Sequence, residues 1–163
     1  MTHKFVLVTA FLVALVAHGF SIANAVESSK IVQYVVVDED SLPSLNVPAI
    51  LQSLTGKKGD PANGRKVVIN RKKGNCLACH VMPISEQPYH GEVGPELNGV
   101  ASRYQEGELR LLLVNAKFIN EDTIMPAFYR NSGFNRVHKK FKGKTILSAQ
   151  QVEDVVAYLM TLK

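Results

Sequence analysis

The stretch Gly74-Asn75-Cys76-Leu77-Ala78-Cys79-His80 decides the reading of this chain, because it holds both of the cysteines in its 163 residues and sets a histidine directly after the second. C-x-x-C-H is the attachment pattern for a c-type haem. Two thiols about one helical turn apart suit covalent attachment to the two vinyl groups of one porphyrin, and the adjacent imidazole falls beneath the iron. Two other chemistries use paired cysteines. A thioredoxin-like dithiol sits beside a βαβ pattern, which is absent here, and a structural zinc site needs four ligands, for which there is no second Cys pair. The motif therefore predicts one covalently bound haem c, attached through Cys76 and Cys79 with His80 on the iron.

Working outward, the residues on either side read as helices. Asp60 is a candidate N-cap with Pro61 at the first helical position, so a short helix leads into the motif. Ser148 and Gln151 form a capping-box pattern, and Val152, Val155, Val156 and Leu159 follow on one face. Between them, Leu109, Leu112, Leu113 and Ala116 mark a third helix between Glu106 and Lys117. No repeat, P-loop or dinucleotide fingerprint occurs. The only strand-like run is residues 31–37, in a stretch from 26 to 58 that Asp38-Glu39-Asp40, Pro43 and Pro48 interrupt. That stretch reads as a partly irregular extension, either a partner contact or a solvated tail.

Residues 1–25 carry Lys4, an apolar run over 5–17 and Ala23-Asn24-Ala25, the pattern of a secretory signal peptide cleaved after Ala25. The apolar run is too short for a spanning helix, which needs roughly 20 residues. Cleavage leaves an exported chain with no membrane span, and lowers the formal charge from +5 to +4 by removing Lys4 and no acid. An exported chain with two cysteines would ordinarily suggest a disulfide, but the haem motif accounts for both. The expected compartment is the periplasm, and nucleic acid is not an expected partner.

The sixth iron ligand has five candidates among the methionines and histidines beyond the motif. Met82 lies too near His80 to reach the opposite face of a haem, and Met160 belongs to the apolar stripe of the last helix. His90 falls among Pro88, Gly91 and Gly94, and His138 among Lys139, Lys140 and Lys142, both as loop residues. Met125, in Thr123-Ile124-Met125-Pro126, has enough intervening chain to swing round the ring, and Pro126 stiffens the loop. It is the expected ligand. Behind His80, the Gly94-Pro95 turn offers a backbone carbonyl that could hold the second imidazole nitrogen, or it is an ordinary turn. Basic residues before the motif and again over 136–144 either steer acidic partners or serve solubility.

Taken together, Gly64, the Cys76–His80 motif, Gly94-Pro95-Glu96-Leu97-Asn98-Gly99, Thr123-Ile124-Met125-Pro126 and a last helix with Tyr158-Leu159 resemble the class I cytochromes c. More narrowly, Ser53-Leu54-Thr55-Gly56, the Met-Pro-Ala-Phe-Tyr run at 125–129 and the stretch 143–159 are similar to the SoxX family, monohaem cytochrome subunits of the sulfur-oxidation SoxAX complexes. The resemblance implies an all-α class I cytochrome c fold around one haem, over residues 59–163 behind the 26–58 extension. It implies thioethers at Cys76 and Cys79, axial ligands His80 and Met125, the Pro95 carbonyl behind His80, and Gly64 packed near Tyr158. It also implies a heterodimer with a SoxA-like cytochrome subunit. That partner bears the catalytic centre of an L-cysteine S-thiosulfotransferase, which joins thiosulfate to a carrier-protein cysteine. This chain takes the electrons and passes them to a downstream soluble cytochrome or other acceptor. No catalytic nucleophile is expected on it. The competing expectation is a free-standing electron shuttle unrelated to sulfur oxidation. One departure from a minimal class I cytochrome is the long stretch 126–147, whose four aromatic residues suggest a packed flap or a partner surface.

Overall fold

The computed structural model describes residues 32–36 and 45–163, with side chains from Pro48 onward. The expected signal peptide, residues 1–25, lies outside the described residues. Three helices carry the fold: α1 (Pro61–Ile69), α2 (Glu106–Asn115) and α3 (Ala149–Leu159). Short 3-10 turns at Cys76–Ala78, Val100–Ser102, Ala116–Phe118 and Lys139–Phe141 punctuate the loops between them. Among the described residues no helix is long and apolar enough to cross a membrane.

The helix starts follow from their caps. The Asp60 carboxylate accepts from the amides of Ala62 and Asn63, and Pro61 occupies the first turn without leaving an amide unpaired. At α3 the Ser148 hydroxyl accepts from the Gln151 amide at 3.2 Å, while the Gln151 side chain accepts from the Ser148 amide at 3.0 Å. The α2 start uses a less obvious pair, with the Glu108 carboxylate accepting from the Gln105 amide at 2.6 Å.

Packing of α1 on α3 sets the frame. A Cβ on Gly64 would lie 1.9 Å from the Asp154 carbonyl oxygen and 2.9 Å from the Tyr158 Cβ, so only glycine lets the helices come this close. Val67 and Val68 of α1 and Val152, Val155, Val156 and Leu159 of α3 then bury their side chains in one core with Leu109, Leu111, Leu113 and Val114 of α2. Burial of this kind stabilises by roughly 25 cal/mol per Å² of apolar surface removed from water.

The strand-like run of the sequence is strand β1 (Val32–Val36), which pairs antiparallel with β2 (Leu45–Ala49) in the register Val32 to Ala49 and Val36 to Leu45. Strand β2 is not legible in the sequence because Pro48 reads as a break. Both strands of a two-stranded ribbon are edge strands, where proline is tolerated. The end of β2 and the residue after it join the core. Ala49 and Ile50 are fully buried, and the Ile50 amide donates to the Gly107 carbonyl at 3.0 Å.

A buried ion pair ties that segment to two helices. Arg110 on α2 donates to both carboxylate oxygens of Glu153 on α3, at 2.9 and 3.0 Å, and to the Ile50 carbonyl at 2.7 Å. Glu106 lies on the same guanidinium, and Glu153 also accepts from the Leu54 amide at 2.8 Å. Burial alone would lower the Arg110 pKa, but its hydrogen bonds to Glu153 and Glu106 raise it above the ordinary arginine value. It is charged at every working pH.

Candidate functional site

The Cys76–His80 segment is shaped by what precedes it. Gly74 is buried where a Cβ would meet the Val67 carbonyl oxygen at 2.8 Å and the Cys76 Sγ at 3.2 Å. Asn75 follows in the left-handed region, φ 49 and ψ 35, a conformation asparagine tolerates better than most residues. The turn then closes with the amides of Cys79 and His80 both donating to the Cys76 carbonyl, at 3.1 and 2.9 Å. Both thiols and the imidazole are thereby held within one turn of backbone. Leu77 faces the core from the same turn.

A second segment, residues 91–97, is laced along the first. The amides of Gly91, Gly94 and Leu97 donate to the carbonyls of Leu77, Cys79 and Val81 at 2.8, 2.7 and 2.9 Å. This lacing places the Pro95 carbonyl 2.7 Å from His80 Nδ1. A carbonyl can only accept, so Nδ1 carries the proton and Nε2 presents its lone pair outward, the tautomer a metal needs. Gly94 is a residue the sequence reading did not single out for the ring's own placement. A Cβ there would fall 2.4 Å from His80 Cε1 and 2.7 Å from Nδ1, so the imidazole lies flat against its backbone. Gly91 approaches as closely, with its would-be Cβ 2.0 Å from the Ala78 carbonyl oxygen. A G-x-x-G pair ahead of a proline is the signal that reveals both contacts.

Met125 sits half-buried against the core, in a short segment anchored at both sides. Before it, the Lys117 ammonium donates to the Glu121 and Thr123 carbonyls at 3.2 and 2.5 Å, and the Met125 amide donates to the Thr123 hydroxyl at 3.2 Å. After it, the Phe128 amide donates to the Leu113 carbonyl at 3.0 Å. Lys117 was invisible as a clamp from sequence, since an exposed lysine carries no local signal.

The other ligand candidates have different surroundings. Met82 is buried in the core, and Met160 packs partly against it. His90 Nδ1 accepts from the Met82 amide at 3.2 Å, and its Nε2 is buried with no hydrogen-bond partner among the described residues. His138 caps the Lys139–Phe141 turn, accepting from the Lys140 amide at 3.3 Å.

The thiols themselves argue against dithiol chemistry. Burial pushes the Cys76 thiol up to about 12, partly offset by a backbone hydrogen bond, whereas a redox-active C-x-x-C thiol is activated by a lowered pKa. A donor set of two thiols within one turn and one imidazole with an oriented free nitrogen fits a porphyrin, which brings four nitrogens of its own. Among the described residues no group of three His, Cys, Asp or Glu side chains could hold a bare metal ion.

The cytochrome c family model matches residues 61–163, and the chain belongs to the cytochrome c family. Its fold is accordingly the all-α cytochrome c fold, and the family implies a covalently bound haem c, for which Cys76 and Cys79 supply the attachment motif. No curated protein matches the chain. Among solved structures, a chain of the crystal structure of SoxXA from P. pantotrophus is 42% identical. The alignment covers 71% of this chain and 90% of that one, with a TM-score of 0.65. Within its family, the chain is SoxX-like.

Proposed function

We propose that this chain is the electron-accepting monohaem subunit of a periplasmic SoxAX-type complex, exported by a signal peptide cleaved after Ala25. The observation that carries the reading is 42% identity to a SoxXA chain over 90% of that chain's length. Cys76 and Cys79 would attach the haem and His80 and Met125 would ligate its iron, while Pro95 holds the His80 tautomer through the 2.7 Å contact at Nδ1. When bound, the haem supplies a one-electron couple whose potential a methionine opposite histidine raises relative to two histidines. That favours the ferrous state and suits the chain to receive electrons.

The chain's own residues do the rest. The 91–97 segment fixes the imidazole and sets its Nδ1–H on the Pro95 carbonyl. The Lys117 clamp and the Phe128 anchor hold the Met125 loop in place, which limits the rearrangement that electron transfer must drive. Joining thiosulfate to a cysteine thiolate as a thiosulfonate releases two electrons, so this chain takes them one at a time from a SoxA-like partner subunit and hands each to an acceptor. The nucleophilic and bond-forming work belongs to that partner.

Co-expression with a SoxA-like subunit tests the assembly. A tagged form of this chain should leave the periplasm as a stoichiometric heterodimer with haem bands in its visible spectrum. A chain recovered alone, with haem but without a partner, would instead be a free-standing electron shuttle.

A further inference from the structure

Positive charge on this chain falls in two runs, and the larger is a single loop near the C-terminus. Residues 45–163 carry seventeen Lys and Arg against ten Asp and Glu, a net +7. Six of those cations, Arg130, Arg136, Lys139, Lys140, Lys142 and Lys144, fall within residues 130–144, and no acid occurs between Asp122 and Glu153. The other run, residues 65–73, carries five cations, one of which, Arg65, is paired with Glu86.

The loop is built rather than slack. Its ends are pinned together where the Leu147 amide donates to the Phe128 carbonyl at 2.9 Å, with Phe128 and Leu147 both buried. Arg130 caps an inner turn, donating to the carbonyls of Ser132 and Gly133 at 2.8 Å each and lying 4.9 Å over the Phe134 ring. Lys140 lies 4.8 Å over Phe141, and His138 meets the same ring edge-on. Phe134 and Phe141 remain 43% and 56% exposed. Arg136, Lys139, Lys140, Lys142 and Lys144 make no ion pair with any described residue.

We propose that the 130–144 loop is the docking surface for a transient, acidic electron-acceptor protein, distinct from the permanent partner subunit; this rests on the electron-transfer reading above. Permanent subunit interfaces are apolar and depleted of charge at their centre. Six cations in fifteen residues would be costly to bury there. Short-lived electron-transfer encounters instead use charge complementarity to raise the association rate, with a small apolar contact at the centre. Phe134 beneath Arg130 and Phe141 beneath Lys140 supply exposed apolar surface beside the cations. The loop leaves the core at Phe128, three residues after Met125, so its root is continuous with the segment that carries the methionine. One electron crosses from this chain to the acceptor's oxidised centre, and no bond or proton changes hands.

The test uses the holoprotein in complex with its SoxA-like subunit, and an acidic plastocyanin as the probe acceptor. A loop variant, Lys139→Gln, Lys140→Gln, Lys142→Gln and Lys144→Gln, is compared with a control variant, Lys57→Gln, Lys58→Gln, Lys66→Gln and Lys163→Gln. Each removes four positive charges. At low ionic strength the loop variant should bind the probe, by fluorescence anisotropy, and be oxidised by it at least ~10-fold more weakly than wild type. The control should stay within about 3-fold, and the gap should close near ~0.5 M salt, where screening is short. Equal losses in both variants, or no loss in the loop variant, would overturn the proposal. So would dissociation of the heterodimer by the loop variant, or loss of binding to phosphatidylglycerol vesicles with plastocyanin unaffected. If the holoprotein purifies without a SoxA-like subunit, the same assay is run on it alone, and a loop effect there would sink the subunit reading while supporting the docking surface.

Discussion

Replacing Arg110 by leucine removes the cation at the centre of the fold and leaves its partner behind. Arg110 is 1% exposed and Glu153 3% exposed, so neither gains water when the other is lost. The Glu153 carboxylate would forfeit two charge-assisted donors at 2.9 and 3.0 Å and keep only the Leu54 amide, while the Ile50 carbonyl loses its 2.7 Å donor. Breaking one side of such a buried pair costs about 3–5 kcal/mol. Unfolding entropy near 2.1 cal/mol/K per residue gives about 0.25 kcal/mol/K over roughly 120 folded residues, so Tm should fall by roughly 12–20 °C. Thermal melts of the holoprotein followed by circular dichroism measure it. The double variant Arg110→Leu, Glu153→Leu should recover most of the loss, because no buried charge is then left unpaired. A single-variant fall under about 4 °C, or a double variant no better than the single, would refute this account of the pair.

Four shorter predictions accompany it. Gly64→Ala drives a Cβ to 1.9 Å from the Asp154 carbonyl oxygen and should cost about 1–3 kcal/mol, read as a lower urea midpoint at unchanged m-value. Gly94→Ala pushes on the His80 ring at 2.4 Å, so the Pro95 contact lengthens and the iron–histidine stretching band in resonance Raman shifts; an unmoved band contradicts it. Asp60→Ala leaves the amides of Ala62 and Asn63 uncapped and should destabilise by about 1 kcal/mol with an unchanged urea m-value. Met125→Leu should abolish the sulfur-to-iron charge-transfer band of the ferric protein, whereas a retained band would move the ligand to another residue.

The helices were legible because each announces itself locally. Asp60-Pro61 and Ser148 with Gln151 are chemical caps within four residues of one another, and the α3 stripe repeats at helical spacing. Gly64 beside Tyr158 was legible only through the family resemblance, since nothing near Gly64 in sequence states what it faces. Arg110 stayed hidden for the same reason. Its partners Glu153 and Ile50 lie 43 and 60 residues away, and a lone arginine in a leucine-rich helix carries no mark of burial. The cysteines and His80 are named by their motif, yet the ring's flat seat on Gly94 arises from lacing between two loops. The flap of 126–147 divides its aromatics. Phe128 is buried and Tyr129 half-buried at the root, while Phe134 and Phe141 face outward among the cations. Composition alone does not separate these two pairs.

The proposed electron flow from a SoxA-like subunit has a direct spectroscopic test. The purified heterodimer, oxidised beforehand, is mixed with thiosulfate and a reduced carrier protein bearing the acceptor cysteine, and the visible spectrum is followed. Ferrous bands of this chain's haem should rise only when both substrates are present, and should fail to rise when the carrier cysteine is replaced by serine. Reduction by thiosulfate alone, or none with both substrates, would contradict the account.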